Sequence, residues 1–241
     1  WQALEYITAQ NLERRALAHL NAMTVVPGAV GAWRAETLRS VGGYPAETLA
    51  EDQDLTIAIQ VAGWKIHYDQ FAVAWTEAPE GFRALSKQRY RWAYGTLQCL
   101  WKHRIVMLSG QPRGLARVGL PQAIVFQILL AAISPIIDLA LIVSFVMTWV
   151  AVEAHGWAQT QHDVEKMLIY WLVFTAIDLL AAVIAFALER RENWRLLWLL
   201  IPQRIGYRQV MYYVVLKAIA QALRGPRVGW GKLARTGRVS V

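Results

Sequence analysis

The chain holds 241 residues, enough for one large domain or for a smaller one joined to a membrane region. Hydrophobic residues make up 56% of it and mean hydropathy is +0.28, high for a soluble domain. The formal charge of +8 gathers beside the apolar runs and so signals membrane sidedness rather than a nucleic-acid footprint, and the lone Cys99 excludes an intramolecular disulfide and fits a reducing compartment.

Residues 1 to 21 read as a helix, with Leu4, Ile7, Leu12 and Leu20 set among polar positions. "MTVVPGAVGAW" is β-branched and glycine-punctuated, the pattern of a strand or two at a site of close backbone approach. "AETLRSVGGYP" is a short helix stopped by Gly42, Gly43 and Pro45, and Glu51 to Val61 is a helix ended by Gly63. "WKIHYD" and "FAVAWT" alternate as strands before Pro79 opens a long helix from about Glu80 to His103. Helices and strands intermix up to this point, so the expected fold class is α/β, followed by an α-helical transmembrane region.

That region begins at Val118. Val118 to Val152 contains one charged residue, Asp138, and Met167 to Leu188 contains one, Asp178. At about 1.5 Å per residue each run can cross a hydrocarbon core roughly 30 Å thick. Buried core helices are the alternative, but these rarely stay uncharged for so long. Pro121 and Pro135 offer break points in the first run. Trp194 to Leu223 carries Arg195, Arg204, Arg208 and Lys217, too polar for an isolated lipid-exposed span, and suits an interfacial or bundle-buried helix. Basic residues precede the first run, follow the second and close the chain, which puts residues 1 to about 117 in the cytoplasm. Asp138 and Asp178 are expected to pair within the bundle, with Arg204 or Arg208 as partners.

Two motifs carry chemistry. Glu51, Asp52 and Asp54 stand at a predicted helix N-terminus, where dipole and free N–H groups favour carboxylates, so capping alone would explain them. Asp52-Gln53-Asp54 also has the form of a metal-binding pair, though it lacks a third ligand. In "KQRYRWAYG", residues 88, 91, 92 and 95 are spaced i, i+3, i+4 and i+7, so Gln88, Arg91, Trp92 and Gly95 share one helix face. That face offers an amide, a guanidinium suited to phosphate, an indole plane suited to a sugar ring, and a glycine gap. A snorkelling interfacial helix would show the same composition.

Taken together, the Glu-Asp pair, the Gln-x-x-Arg-Trp helix about forty residues later and the following spans resemble the second half of a processive, membrane-bound family-2 glycosyltransferase. Cellulose, chitin, hyaluronan and poly-N-acetylglucosamine synthases share that pattern. "VVPGAVGAWR", "GGYPAETLAEDQDLT" and "QRYRW" look most like the bacterial poly-β-1,6-N-acetylglucosamine synthase branch. The resemblance implies the C-terminal part of a GT-A-type catalytic domain over 1–103, a basic interfacial linker over 104–117, transmembrane and interfacial helices over 118–223, and a basic cytoplasmic tail over 224–241.

The resemblance also implies roles. Asp52 would be the general base and Glu51 would position acceptor or base. Gln88 and Arg91 would hold the nucleotide diphosphate, and Trp92 would stack on the terminal sugar. Trp230, Arg235 and Thr236 look like the gating segment of relatives. The implied partners are UDP-N-acetylglucosamine, the growing polysaccharide, a bacterial inner membrane crossed more than once, and an accessory membrane subunit. Mg²⁺ or Mn²⁺ would be held by an upstream Asp-x-Asp, yet this chain has no Asp before Asp52. The chain is therefore expected to open midway through the catalytic domain and to be inactive alone. A non-processive lipid-glycosylating relative, or a non-catalytic transport or assembly subunit built around the intramembrane acids, are the competing readings.

Overall fold

The computed structural model describes residues 1–189 and 191–225, and every regular element among them is helical. In chain order these are α1 (Gln2–Glu5), α2 (Leu12–His19), α3 (Ala35–Ser40), α4 (Glu51–Val61), α5 (Phe82–Lys102) and α6 (Arg104–Ser109). There follow α7 (Leu120–Gln122), α8 (Leu130–His155), α9 (Trp157–Leu188), α10 (Leu200–Gln203) and α11 (Tyr207–Arg224). π-helical turns at Tyr6–Asn11, Leu115–Gly119 and Ala123–Leu129, and a 3-10 turn at Trp194–Leu199, link some of them. The chain divides into two compact units, one of Trp1–Leu12 with Ile133–Tyr207, the other of Glu13–Ala132 with Arg208–Val241.

The second unit holds both sequence motifs. Its main apolar cluster joins α4, α5 and α6 to the start of the long apolar helix through Ile57, Cys99, Leu100, Val106, Leu115 and Leu120. A second cluster, Leu49, Tyr94 and Ala218, seats α11 on α5. The α/β character expected from the sequence is not seen among the described residues: 23–33 and 64–76 run as irregular chain without strand pairing. For the stretch from Met23 to Gly28, helix α4 supplies the reason. Asp52, Thr56 and Gln60 lie on one stripe of it at i, i+4 and i+8. Gly28 N–H donates to Asp52 Oδ2 at 3.1 Å, Val26 N–H donates to Thr56 Oγ1 at 2.9 Å, and Gln60 Nε2 donates to the Met23 carbonyl at 2.5 Å. These backbone groups thus find helix side chains where a sheet would offer a neighbouring strand. Alternating hydrophobicity specifies a buried side and an exposed side, not the partner.

The start of the long helix meets backbone directly. A Cβ on Gly114 would fall 2.0 Å from the Leu20 carbonyl oxygen, and one on Gly119 would fall 2.1 Å from that of Ala22. Gly119→Ala should therefore cost about 2–3 kcal/mol by overpacking. Thermal unfolding of the full-length protein in detergent should show a clear drop in midpoint, with little change for Gly81→Ala, whose Cβ would meet open space.

The helical run Leu115–His155 passes through both prolines, so the breaks expected at Pro121 and Pro135 do not occur. Pro121 lies between the π-helical turns Leu115–Gly119 and Ala123–Leu129, where the regular hydrogen-bond ladder is already altered. Pro135 sits inside α8 and gives up one backbone bond. This run and α9 are both long and apolar enough to cross a membrane, with 6% and 17% of their most apolar stretches buried.

In the first unit, Leu4 and Ile7 pack with Ala185 and Phe186 of α9 and with Leu196 and Leu200. Asp178 of α9 pairs with Arg204 at 2.7 Å, one of the two partners the sequence suggested. The segment Trp194 to Leu223, whose sequence allowed either one interfacial helix or a dip and return at Pro202, is three pieces, the 3-10 turn, α10 and α11.

Candidate active site

Helix α4 starts at the acids because three carboxylates in its first turn complement the helix dipole and the Asp54 N–H closes back on the Ala50 carbonyl at 2.9 Å. The same turn docks on α5 at Gly95. A Cβ at position 95 would lie 2.7 Å from both Cβ and N of Ala50, so only glycine allows this approach. Two hydrogen bonds lock the contact. Thr96 Oγ1 donates to Gln53 Oε1 at 2.8 Å, and the Leu49 N–H donates to Gln98 Oε1 at 2.8 Å.

Arg91 lies one turn before Gly95, so docking there brings Glu51 within reach of its charge. Burial, helped by the neighbouring Asp52 charge, raises the Glu51 carboxyl above its ordinary value against the pull of its own backbone N–H and of Arg91. Asp52 is held by backbone: Gly28 N–H donates to Oδ2, and Gln53 N–H donates to Oδ1 at 2.8 Å. Gln88 and Trp92 continue the Arg91 face of α5 at helical spacing, Gln88 half-buried and Trp92 exposed. Beside them sits a residue that sequence reading passed over, the buried Arg89, whose guanidinium lies 4.3 Å from the centroid of the Trp92 ring. Its i, i+3 spacing to Trp92 was the available signal. Lys217 of α11 reaches over Tyr90, 5.3 Å from its ring. Trp230, Arg235 and Thr236 lie outside the described residues.

Gly95→Ala should separate α4 from α5 and so uncouple the acids from Arg91. We expect a loss of stability of about 1–3 kcal/mol and a larger proportional loss of activity than Gly119→Ala at equal destabilisation, read from initial rates on the folded fraction.

The third acid has a different job. Asp54 is fully buried and accepts from His103 Nε2 at 2.7 Å, Lys102 Nζ at 2.9 Å and Thr48 Oγ1 at 3.1 Å, while Lys102 also pairs with Glu47 at 2.6 Å. Burial alone would raise its carboxyl, but the His103 and Lys102 hydrogen bonds and charges together hold it below the usual carboxylate range. An open cavity of about 280 Å³ adjoins this group, lined by Gly42, Gly43, Glu47, Asp54, Lys102 and His103 among others. Neither Asp52 nor the Gln88, Arg91 and Trp92 face lines that cavity. The Asp52 and Asp54 carboxylates answer to different partners, one to the Gly28 loop and the other to the end of α5, so they do not fit a shared metal. Cys99 is buried, its thiol pushed up to about 12 chiefly by burial, which makes it a packing residue without nucleophilic character at neutral pH.

Glucomannan 4-beta-mannosyltransferase 7 of Arabidopsis thaliana is 36% identical over 75 residues, 31% of this chain and 14% of the relative. Probable glucomannan 4-beta-mannosyltransferase 1 of the same plant is 34% identical over 68 residues, 28% of this chain and 12% of the relative. The matched stretch thus spans only a small part of either relative's length, and no solved structure matches. The family model described as "Glycosyl transferase family group 2" matches residues 2–216, and the chain belongs to that family.

Proposed function

We propose that this chain carries the acceptor side and the leaving-group clamp of a membrane-bound, processive, inverting glycosyltransferase of the GT-A type. The observation that carries the reading is the docking of α4 on Gly95 of α5, which brings Glu51, next in sequence to Asp52, within reach of the Arg91 charge. In the reaction an acceptor hydroxyl attacks the anomeric carbon of a nucleotide sugar from the face opposite the diphosphate. The bond from that carbon to the diphosphate oxygen breaks, and the hydroxyl proton passes to Asp52. Two backbone N–H donors orient the Asp52 carboxylate for that step without a side chain that would have to move. Arg91, supported by Gln88, meets the charge that builds on the departing diphosphate. Trp92 offers the ring face turned away from Arg89 to the terminal sugar. Glu51, whose raised carboxyl binds a proton more readily than a free one, positions the acceptor hydroxyl.

The two apolar helices would then span the membrane and receive the polymer, with residues 1 to about 117 on the cytoplasmic side. The divalent cation of the reaction would be held by acids outside this chain, since the acids here do not fit one. N-acetylglucosamine is the sugar favoured by the wording of "VVPGAVGAWR" and "GGYPAETLAEDQDLT". The names of the matched relatives favour mannosyl transfer as the second reading.

Two measurements on the full-length protein test this. Arg91→Ala should weaken nucleoside diphosphate binding about 10-fold to 100-fold, the worth of a charge-assisted hydrogen bond; unchanged binding by calorimetry would remove Arg91 from the clamp. A panel of radiolabelled nucleotide sugars should yield polymer from the N-acetylglucosamine donor, and polymer from a mannose donor alone would select the second reading.

A further inference from the structure

The stretch between α9 and α11 can be placed against the bilayer by its contacts along α9, an argument that rests on the proposal above that α9 spans the membrane. The apolar part of α9 runs from Met167 to Leu188, and its one charged residue, Asp178, lies at its middle. At about 1.5 Å per residue that is about 15 Å from either end, which is the midplane of a hydrocarbon core about 30 Å thick. Trp194, at the start of the 3-10 turn, packs on Phe186 near the end of α9, with ring centroids 5.9 Å apart. Ten residues later Arg204 pairs with Asp178 at 2.7 Å and lies 5.0 Å from the Phe174 ring, with Nη1 3.5 Å from Thr175 Oγ1. The chain from 194 to 204 therefore runs back along α9 toward its centre. Six residues of 3-10 helix and four of α-helix extend about 18 Å, enough to reach that depth.

A helix lying flat at the interface would leave Arg204 at headgroup level, a half-membrane away from Asp178. The surface of the segment agrees with descent. Trp198, Ile201 and Ile205 are 76%, 67% and 81% exposed, an apolar face that costs free energy in water and none in hydrocarbon. Ionisable groups at membrane depth persist when they pair with each other, as Arg204 and Asp178 do.

We infer that residues 194–206 form a re-entrant element that enters the bilayer on the side where α9 ends, descends along α9 to the level of Asp178, and presents Trp198, Ile201 and Ile205 to lipid. The partner of this surface is the acyl-chain interior of the bilayer. By Tyr207 the chain is back beside Glu5, whose neighbour Leu4 packs with Ala185 and Phe186 near the end of α9, so the Arg204–Asp178 pair marks the depth at which the chain turns.

Spin labels at single introduced cysteines test this in the full-length protein reconstituted in bilayers, with collision rates measured against oxygen and against a water-soluble nickel complex. The sites are Ile201→Cys, Ile205→Cys, Leu180→Cys on the lipid side of α9, and Arg191→Cys as the water-exposed reference. Each label is assigned by difference from the labelled parent protein, whose Cys99 is buried. Positions 201, 205 and 180 should all collide with oxygen and lose collision with nickel, while 191 collides with nickel. Nickel collision at 201 and 205 with position 180 still protected would overturn the re-entrant element and leave the spanning helix standing. Protection of 201 and 205 from both reagents would also overturn it, since protein and not lipid would then cover that face. Nickel collision at 180 would instead overturn the spanning reading itself.

Discussion

Asp52→Asn in the full-length protein is expected to lower polymer synthesis about 10³-fold while nucleoside diphosphate binds as before, because a positioned general base contributes roughly 10² to 10⁴. The substitution is nearly isosteric, and the amide oxygen can still accept from Gly28 N–H, now 3.1 Å from Oδ2, so the loop keeps its anchor while the Gln53 N–H loses its acceptor. What is lost is the capacity to take a proton. The split between turnover and binding separates this outcome from a collapsed site, in which both would fail. Synthesis within a few fold of wild type would mean that another group takes the proton.

Asp54→Ala should be the most destabilising change in the acidic turn, by about 3–5 kcal/mol, since it strips a buried carboxylate from Lys102 and His103. The pH dependence has a definite sign. The folded Asp54 carboxyl is held below its unfolded value, so its contribution is fully present above about pH 4, the unfolded value, and is lost as pH falls through the lower folded value. The gap in unfolding midpoint between wild type and Asp54→Ala should therefore be widest at neutral pH and should narrow below about pH 4. A gap that stays constant down to pH 2 would show that the carboxylate charge is not what stabilises this corner.

Local patterns were legible where neighbours in sequence decide the outcome. Helix α4 runs over the Glu51–Val61 expected for it, and Gly63 beyond it takes φ +92°, which L side chains rarely adopt. Helix α5 falls within two residues of its expected ends. The Gln88, Arg91, Trp92 and Gly95 face was legible from spacing alone, and the role of Gly95 as a gap for close approach is met by Ala50. Partners distant in sequence were not legible. Asp54 finds Lys102 and His103 across nearly fifty residues, and nothing local distinguishes it from a capping acid. The stretch from Met23 to Gly28 has the composition of a strand, yet its backbone is taken up by Asp52, Thr56 and Gln60. Gly114 and Gly119 carry no local signal; their necessity comes from the Leu20 and Ala22 carbonyls, which only the folded chain brings near.

The central claim is that the acids of α4 and the basic-aromatic face of α5 serve one reaction centre. The most direct test is a structure of the full-length protein with nucleoside diphosphate and an acceptor oligosaccharide bound. The Arg91 guanidinium should lie within about 3 Å of a diphosphate oxygen, the Asp52 carboxylate should lie within about 3 Å of the terminal acceptor hydroxyl, and the terminal sugar should stack on Trp92. A diphosphate held elsewhere, with Asp52 and Arg91 facing different ligands or none, would contradict the shared site.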